Sequence, residues 1–208
     1  MTGFRKLPTG WCRARKLKNF KGGQNSGESI AALKILMSVA LLKNEFHEDE
    51  VTISYSKFEE ICGLSNPSIS KGIKKLEQEE ILEVDRTGNT NKYRFKDNGD
   101  DKWSKLPFDL VHKKLREISN RKLSSLGALK IYIALLMLRD NKQKEVRISY
   151  EKLRDWTGLQ NIHIRPGLDI LFSHSIIHIQ KSEELDVENV IKPHNVYKIM
   201  GNLMLKGS

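Results

Sequence analysis

A helix rich in serine and lysine is the part of this chain best suited to bind a polyanion. Within residues 67–78, the apolar residues Ile69, Ile73 and Leu76 recur at helical spacing and predict a buried face. The remaining outward positions are Ser68, Ser70, Lys71, Lys74 and Lys75. Hydroxyl groups can hydrogen-bond to base edges or phosphates, and lysine to guanine or phosphate. The pattern predicts a helix that contacts nucleic acid, against the plainer alternative of a solvated surface.

Two further groups of basic residues flank this helix in the sequence. Residues 81–84 and 93–95 are strand-like and turn residues separate them, which predicts a β-hairpin. Its basic residues are Arg86, Lys92 and Arg94. Residues 1–27 contain no acidic residue and add the candidates Arg13, Arg15 and Lys16. A segment of one charge sign that ends in a glycine-rich run is poorly suited to a core, although its first dozen residues match a later stretch and are expected to pack.

The sequence has no motif that indicates catalysis or a metal site. Residues 22–29 approach the spacing of a phosphate-binding loop, but Glu28 stands where that loop needs lysine and no predicted strand precedes the run. His174 and His178 are close in sequence, yet a predicted change from helix to strand separates them, and no third ligand is nearby. A histidine, hydrophobe, histidine run, which would hold the metal of a nicking enzyme, is absent from the sequence. We therefore expect no enzyme activity, no cofactor and no metal ion.

The chain contains the same pattern twice. Residues 51–84 align without a gap to residues 146–179, with identities that include an Ile-Ser-Tyr run and a Gly-Leu pair. Upstream, an Ala-Leu-Lys-Ile run recurs, and so does a Leu-Pro pair. An internal repeat of this length predicts two copies of one domain. We place the domains at residues 1–95 and 102–208, with a linker at residues 96–101.

Each copy is predicted to fold as three helices followed by a hairpin. Residues 29–43 and 125–139 are too rich in apolar side chains for surface helices, and their apolar stretches are too short to span a membrane. In the first copy, Ser54 is placed to cap a helix over residues 56–62, Gly63 to end it, and Asn66 to cap the next helix. Two short helices joined by a glycine turn are typical of a helix-turn-helix. The predicted fold is mainly α with small β-hairpin wings, an α+β class of two tandem winged helix-turn-helix domains.

The second copy departs from the first where a partner would bind. On its equivalent helix, residues 161–173, the outward residues are His163, Arg165 and Asp169, of which His163 and Arg165 are candidates for DNA contact. Pro166 removes a backbone donor and is expected to kink this helix or to move its start. The hairpin is predicted to have a longer, acidic loop containing Glu183, Glu184, Asp186 and Glu188. We expect this hairpin to point away from DNA, towards a protein.

The composition of the chain indicates the kind of partner it binds and the compartment in which it is found. The chain has 208 residues, a net charge of +10 and a pI near 9.5, which favour a polyanionic partner. In the second copy we expect the basic surface near residues 113–122. Cys12 and Cys62 occupy unmatched positions of the repeat and have no metal-binding spacing, which indicates a reducing cytoplasm. The polar, basic N-terminus does not resemble a signal peptide, and we expect no association with a membrane.

These motifs together resemble a known family. A Leu-Pro pair before a long apolar helix, an Ile-Ser-Tyr run, a Gly-Leu turn, a lysine-rich helix and an Ile-Leu-x-Val segment, in a duplicated chain, are similar to the tandem winged-helix replication initiators of plasmids and phages. Residues 53–95 also resemble the helix-turn-helix domain of phage replication proteins and of many small bacterial regulators. The resemblance implies binding to repeated origin sequences, with one winged helix reading DNA and the other serving dimerisation or a second half-site.

We therefore expect a cytoplasmic, non-enzymatic protein that binds double-stranded DNA with sequence specificity and initiates or regulates replication of a mobile element. An alternative is a winged-helix transcriptional regulator that represses from an operator. An alternative of another class is an adaptor similar to the tandem winged-helix subunits of chromosome-condensing complexes, which grip protein partners. A homodimer contact, or a contact with a replication or nucleoprotein partner, is expected on the C-terminal domain.

Overall fold

The computed structural model describes residues 3–43, 50–96, 102–142, 144–185 and 191–203. The α-helices are α1 (Gly10–Arg13), α2 (Ser26–Leu42), α3 (Tyr55–Cys62), α4 (Asn66–Gln78), α5 (Phe108–Lys114), α6 (Leu123–Leu138), α7 (Tyr150–Thr157) and α8 (Asn161–Ser173). The strands are β1 (Phe4–Pro8), β2 (Glu50–Thr52), β3 (Leu82–Asp85), β4 (Lys92–Phe95), β5 (Trp103–Pro107), β6 (Glu145–Ile148), β7 (Ile177–Leu185) and β8 (Ile191–Ile199). Two 3-10 helices, Lys16–Asn19 and Gly23–Asn25, lie between α1 and α2. The predicted α+β class with small sheets is confirmed.

The same order of elements occurs in residues 3–96, the first half, and in residues 102–203, the second half. Each half begins with a strand and a short helix, continues with a long buried helix, and ends in a strand, two helices and a hairpin. The strand before the two helices pairs with the last strand of the hairpin, which closes the antiparallel sheets β2-β4-β3 and β6-β8-β7. The repeat in the sequence therefore has a counterpart in the order of the elements.

The helix pair α3 and α4 forms for local reasons. The Ser54 side chain accepts a hydrogen bond from the Lys57 backbone amide at 3.2 Å and caps α3. Gly63 ends this helix with a φ of 63°, a left-handed conformation that glycine adopts without a Cβ penalty. The predicted cap at Asn66 is wrong by one residue, because Ser65 has the extended N-cap conformation and Asn66 begins α4.

A glycine at each helix crossing lets the last helix of a half approach the long helix closely. A Cβ atom on Gly72 of α4 would lie 2.8 Å from the backbone nitrogen of Ala32 in α2. A Cβ atom on Gly167 of α8 would lie 2.9 Å from the carbonyl carbon of Gly127 in α6. These distances leave no room for a side chain on either glycine. Glycine therefore lets α4 and α8 cross close against the N-terminal halves of α2 and α6.

The two halves are joined by the short antiparallel pair of β1 and β5. The register pairs Phe4 with Pro107 and Pro8 with Trp103, so each Leu-Pro pair lies opposite the first two residues of the other strand. The rings of Phe4 and Trp103 stack with their centroids 6.0 Å apart. One hydrophobic core extends through both halves. The division into domains at residues 96–101 stays a prediction, and most of that linker lies outside the described residues.

In each half, the segment between the first strand and the long helix, here called an arm, packs against the other half. The first arm is residues 9–25 and the second arm is residues 108–122. The Lys18 side chain of the first arm lies 3.2 Å from the Cβ position of Gly158, and Arg116 of the second arm lies 3.2 Å from that of Gly63. Gly63 and Gly158 are equivalent in the repeat. The exchange of arms is therefore reciprocal.

The first arm is part of the core, so the expectation that this basic segment is poorly suited to one is wrong. Trp11, Leu17 and Phe20 are at most 2% exposed. The Trp11 indole nitrogen donates a hydrogen bond to the Pro8 carbonyl at 2.9 Å. Basic side chains such as Arg13 stay exposed, so the arm buries its few apolar residues without burying its charge. The expectation that the first dozen residues pack is confirmed for the described part of them.

Two buried lysines at equivalent positions of α2 and α6 also link the halves. Lys34 Nζ donates hydrogen bonds to the Ile118 carbonyl and to the Asn120 side chain, at 2.6 Å for the latter. Lys130 Nζ donates to the Phe20 carbonyl at 2.9 Å. Each lysine therefore binds the arm of the other half. Burial lowers the pKa of both lysines to about 8.

The hairpin of the second half differs from its prediction. The sequence predicts strands over residues 177–180 and 195–199 with an acidic loop between them. The observed strands β7 and β8 are each nine residues long, so Glu183 and Glu184 lie on a strand. Asp186 and Glu188 lie outside the described residues.

Pro166 lies inside α8 and does not move the start of this helix, contrary to one of the two expected effects. The helix begins at Asn161, the position equivalent to Asn66 at the start of α4. Proline cannot donate to the carbonyl of Ile162, four residues earlier. The helix nevertheless continues through this position to Ser173.

Within the described ranges, one helical stretch, Gly23–Leu42, is long and apolar enough to cross a membrane by length and composition. However, 72% of its apolar window is buried inside the protein, as in the core helix of a soluble protein. The prediction of a buried helix here is confirmed, and the predicted cytoplasmic location stays a prediction.

Candidate nucleic-acid interface

The outward face of α4 is the candidate binding surface. Ile69, Ile73 and Leu76 are at most 1% exposed and pack into the core. Ser70, Lys71 and Lys74 are exposed. Among the described residues, neither Lys71 nor Lys74 has an ion pair with a carboxylate. Both ammonium groups are therefore available to a phosphate or a base edge.

The other two candidates on α4 make contacts within the protein. Lys75 Nζ lies 2.6 Å from Glu79 Oε1, and its side chain is only 18% exposed. The same ammonium group lies 5.8 Å from the centroid of the Phe20 ring in the first arm. The Ser68 hydroxyl lies 3.0 Å from the Ser65 hydroxyl at the start of the helix. Lys75 is thus placed to fasten the first arm to α4, while Ser68 lies at the edge of the exposed face.

The hairpin after α4 is tied to that helix by an ion pair. Both terminal nitrogens of Arg86 donate to the Glu77 carboxylate of α4, at 2.8 and 2.7 Å. Glu77 raises the pKa of Arg86 through this hydrogen bond. On the hairpin itself, Arg94 pairs with Glu83, the residue opposite it in the register, and Lys92 is exposed. Arg86 and Arg94 thus orient the hairpin, and Lys92 offers it a solvent-facing ammonium group.

The three candidates in the first arm contact the protein itself. Arg15 Nη1 lies 2.9 Å from Asp155 Oδ2 of α7, and its guanidinium carbon lies 3.5 Å from the centroid of the Trp156 ring. The hydrogen bond from Arg15 lowers the pKa of Asp155. Lys16 Nζ donates to a backbone carbonyl at the end of α4 at 2.7 Å, and Arg13 donates to a carbonyl at the end of α6 at 3.4 Å. Arg13 and Arg15 therefore join the first arm to the second half, whereas Lys16 joins it to the end of α4 in its own half.

The second arm places basic residues beside the turn that precedes α4, and this location was not predicted from the sequence. Arg116 donates to the Glu60 carbonyl at 3.3 Å, and the Asn120 side chain donates to the Gly63 carbonyl at 2.7 Å. Arg121 and Lys122 follow directly and are exposed. The expected basic surface at residues 113–122 thus lies next to the first half's candidate helix. The charge cluster is visible in the sequence, but its location depends on the exchange of arms.

The second half does not repeat the cationic helix face. Arg165 is exposed and His163 is half-buried on α8. The positions equivalent to Lys71 and Lys74 are Pro166 and Asp169, and both are exposed. The face of α8 has therefore lost the two unpaired lysines that distinguish α4.

The described residues offer no metal cluster, because no group of three or more His, Cys, Asp or Glu side chains is placed to hold an ion. Cys12 and Cys62 are both buried and unpaired with each other. Burial raises the pKa of Cys12 to about 12 and that of Cys62 to about 11. These thiols stay protonated at neutral pH and are poor nucleophiles.

Comparison with known proteins finds no protein-family model that matches the chain and no curated protein that matches it.

Proposed function

We propose that this chain is a double-stranded DNA-binding protein of two tandem winged helix-turn-helix units, with α4 in the major groove. The observation that carries the proposal is the division of α4 into a buried apolar face and an exposed face of Ser70, Lys71 and Lys74. The arrangement of α3, α4 and the hairpin is what a winged helix-turn-helix needs to present one helix to a groove. The net charge of +10 adds attraction to phosphates of any sequence.

The second arm enlarges this surface. Arg121 and Lys122 adjoin the turn before α4, where the backbone of a duplex bound along that helix would pass. Phosphate contacts fix the register of a protein on DNA, and contacts from the helix to base edges give sequence preference. The two kinds of contact are thus supplied by different halves of the chain.

Within this class, we propose origin binding in the replication of a mobile element as the biological role, with the protein in the cytoplasm and without enzymatic activity. The support is the resemblance of the duplicated motifs to tandem winged-helix replication initiators. The alternative is a transcriptional regulator, and the position of the bound site separates the two roles. A site in a replication origin supports initiation, and a site overlapping a promoter supports regulation.

The direct test is the affinity for duplex DNA of the Lys71→Ala/Lys74→Ala variant at several salt concentrations, measured by fluorescence anisotropy. We expect weaker binding and a shallower dependence of log K on log salt, with a slope reduced by about 0.9 for each lost phosphate contact. Lys142→Ala/Lys144→Ala is the matched control, because it removes the same charge from exposed residues of the α6–β6 turn. Equal binding by the two variants would contradict the role of α4.

A further inference from the structure

The exposed face of α8 carries a seam of four residues at coiled-coil spacing. Ile162, Arg165, Asp169 and Phe172 are separated by three, four and three positions, the pattern of a and d residues in a heptad. Ile162 is 70% exposed and Phe172 is 52% exposed, and both stand among the large hydrophobic residues that the described surface leaves open. Arg165 and Asp169 lie between them and are also exposed.

The seam is self-complementary in the antiparallel direction. Reversing the helix about Gly167 exchanges Ile162 with Phe172 and Arg165 with Asp169. In an antiparallel helix pair, a positions face d positions of the partner helix, so an apolar contact would form at each end and an ion pair on each side of the centre. An isologous two-fold contact brings the same surface of two copies together in opposite directions, so that surface must be complementary to itself. The seam on α8 meets this requirement.

We propose that α8 pairs with α8 of a second copy of this chain about a two-fold axis, which makes the protein a homodimer. Ile162 packs against Phe172 of the second copy, and Arg165 pairs with Asp169 of the second copy. The Phe172 ring is supported from below by His178 of β7, whose centroid lies 6.2 Å away. A DNA duplex fits this face poorly, since Asp169 would repel phosphates and Ile162 and Phe172 offer them no hydrogen bond.

The charge pair permits a sharp test by analytical ultracentrifugation. In a dimer of Arg165→Asp, positions 165 and 169 of both chains would carry carboxylates, which repel each other. In a dimer of Asp169→Arg, the same positions would carry guanidinium groups, which also repel each other. We expect each variant to sediment as a monomer at micromolar concentrations at which the unaltered protein is a dimer. An equimolar mixture of the two variants should recover the dimer, because the acidic seam of one then faces the basic seam of the other.

Two controls separate the contact from folding and from DNA binding. Circular dichroism should show unchanged helix content, since both residues are exposed. Lys74→Asp puts a carboxylate on α4 at the position equivalent to Asp169, and it should leave the dimer intact. A monomeric unaltered protein overturns the proposal, and so does a mixture of the variants that stays monomeric. Sedimentation is measured without DNA, so the outcome is independent of the proposed DNA binding.

Discussion

Lys6 and Lys105 occupy equivalent positions of the two copies, and they face each other in the antiparallel register of β1 and β5. An antiparallel pair in which equivalent residues meet has a local two-fold axis at that point. The arms obey the same relation, because Lys18 covers Gly158 and Arg116 covers Gly63. The two copies are therefore arranged like the subunits of an isologous dimer within one chain.

This arrangement predicts that deletion of residues 1–21 destabilises both halves. The deletion removes β1 and with it Trp11, Leu17 and Phe20, all buried in the common core. We expect loss of cooperative unfolding in urea or of soluble protein, because the loss of each large core side chain costs about 2–5 kcal/mol. Lys21→Ala, which removes an exposed charge from the same arm, is the control and should unfold like the unaltered protein. A truncated protein of unchanged stability would contradict the exchange of arms.

The buried lysines predict a stability difference between two equivalent substitutions. Lys34→Met leaves three acceptors without their donor: the Cys62 and Ile118 carbonyls and the Asn120 side-chain oxygen. Lys130→Met leaves only the Phe20 carbonyl, among the contacts described, without its donor. Leaving a buried acceptor unsatisfied costs about 1–3 kcal/mol, so both variants should unfold at lower urea concentration, Lys34→Met at the lowest. Equal stability of Lys34→Met and the unaltered protein would show that these hydrogen bonds do not hold the arms.

The same lysines predict a rise in stability between pH 8 and 9. Their pKa is lowered to about 8 by burial, so from that pH upward the folded protein has given up protons that the unfolded chain retains. The free energy of unfolding then increases with pH. The raised pKa values of the buried Cys12 and Cys62 thiols lower stability as the unfolded thiols ionise, and the buried tyrosines do the same near pH 10. Between pH 8 and 9 the lysines outweigh the thiols, and the net rise is about 1 kcal/mol.

Urea unfolding at pH 8, 9 and 10 checks this prediction. The Lys34→Met/Lys130→Met variant is the control, because it lacks both titrating groups and should lose stability over the same interval. A decline in the unaltered protein between pH 8 and 9 would contradict the assignment of the lowered pKa to these lysines.

Basic residues in the two arms should respond differently to substitution. Arg121→Ala/Lys122→Ala removes exposed charge beside α4 and is expected to weaken DNA binding and flatten its salt dependence, with little change in stability. Arg15→Ala removes an ion pair with Asp155 and a contact with the Trp156 ring, so it should lower the urea midpoint and leave the salt slope unchanged. Anisotropy and urea unfolding of both variants test this contrast, and the reverse result would contradict the placement of the arms.

The sequence predicts the helices of each copy, but it predicts neither the length of the second hairpin nor how the copies pack. Ser54 and Gly63 act through neighbouring backbone atoms, so the cap and the end of α3 follow from residue type and spacing. The contacts of Arg15 and Arg116 are with residues of the opposite half, so no local sequence pattern predicts them. The repeat shows that Lys34 and Lys130 are equivalent, but only the packing shows that each binds the opposite arm.

Whether α4 reads base sequence is tested by selecting bound duplexes from a random library at physiological salt, with the unaltered protein and with Lys71→Ala/Lys74→Ala. We expect an enriched sequence motif for the unaltered protein and loss of that motif in the variant. If α8 forms the dimer, the motif should be an inverted repeat, because the dimer presents two copies of α4 about one axis. Weak, salt-sensitive binding with no enriched motif, or the same motif with both proteins, would contradict the assignment of α4 as the helix that reads DNA.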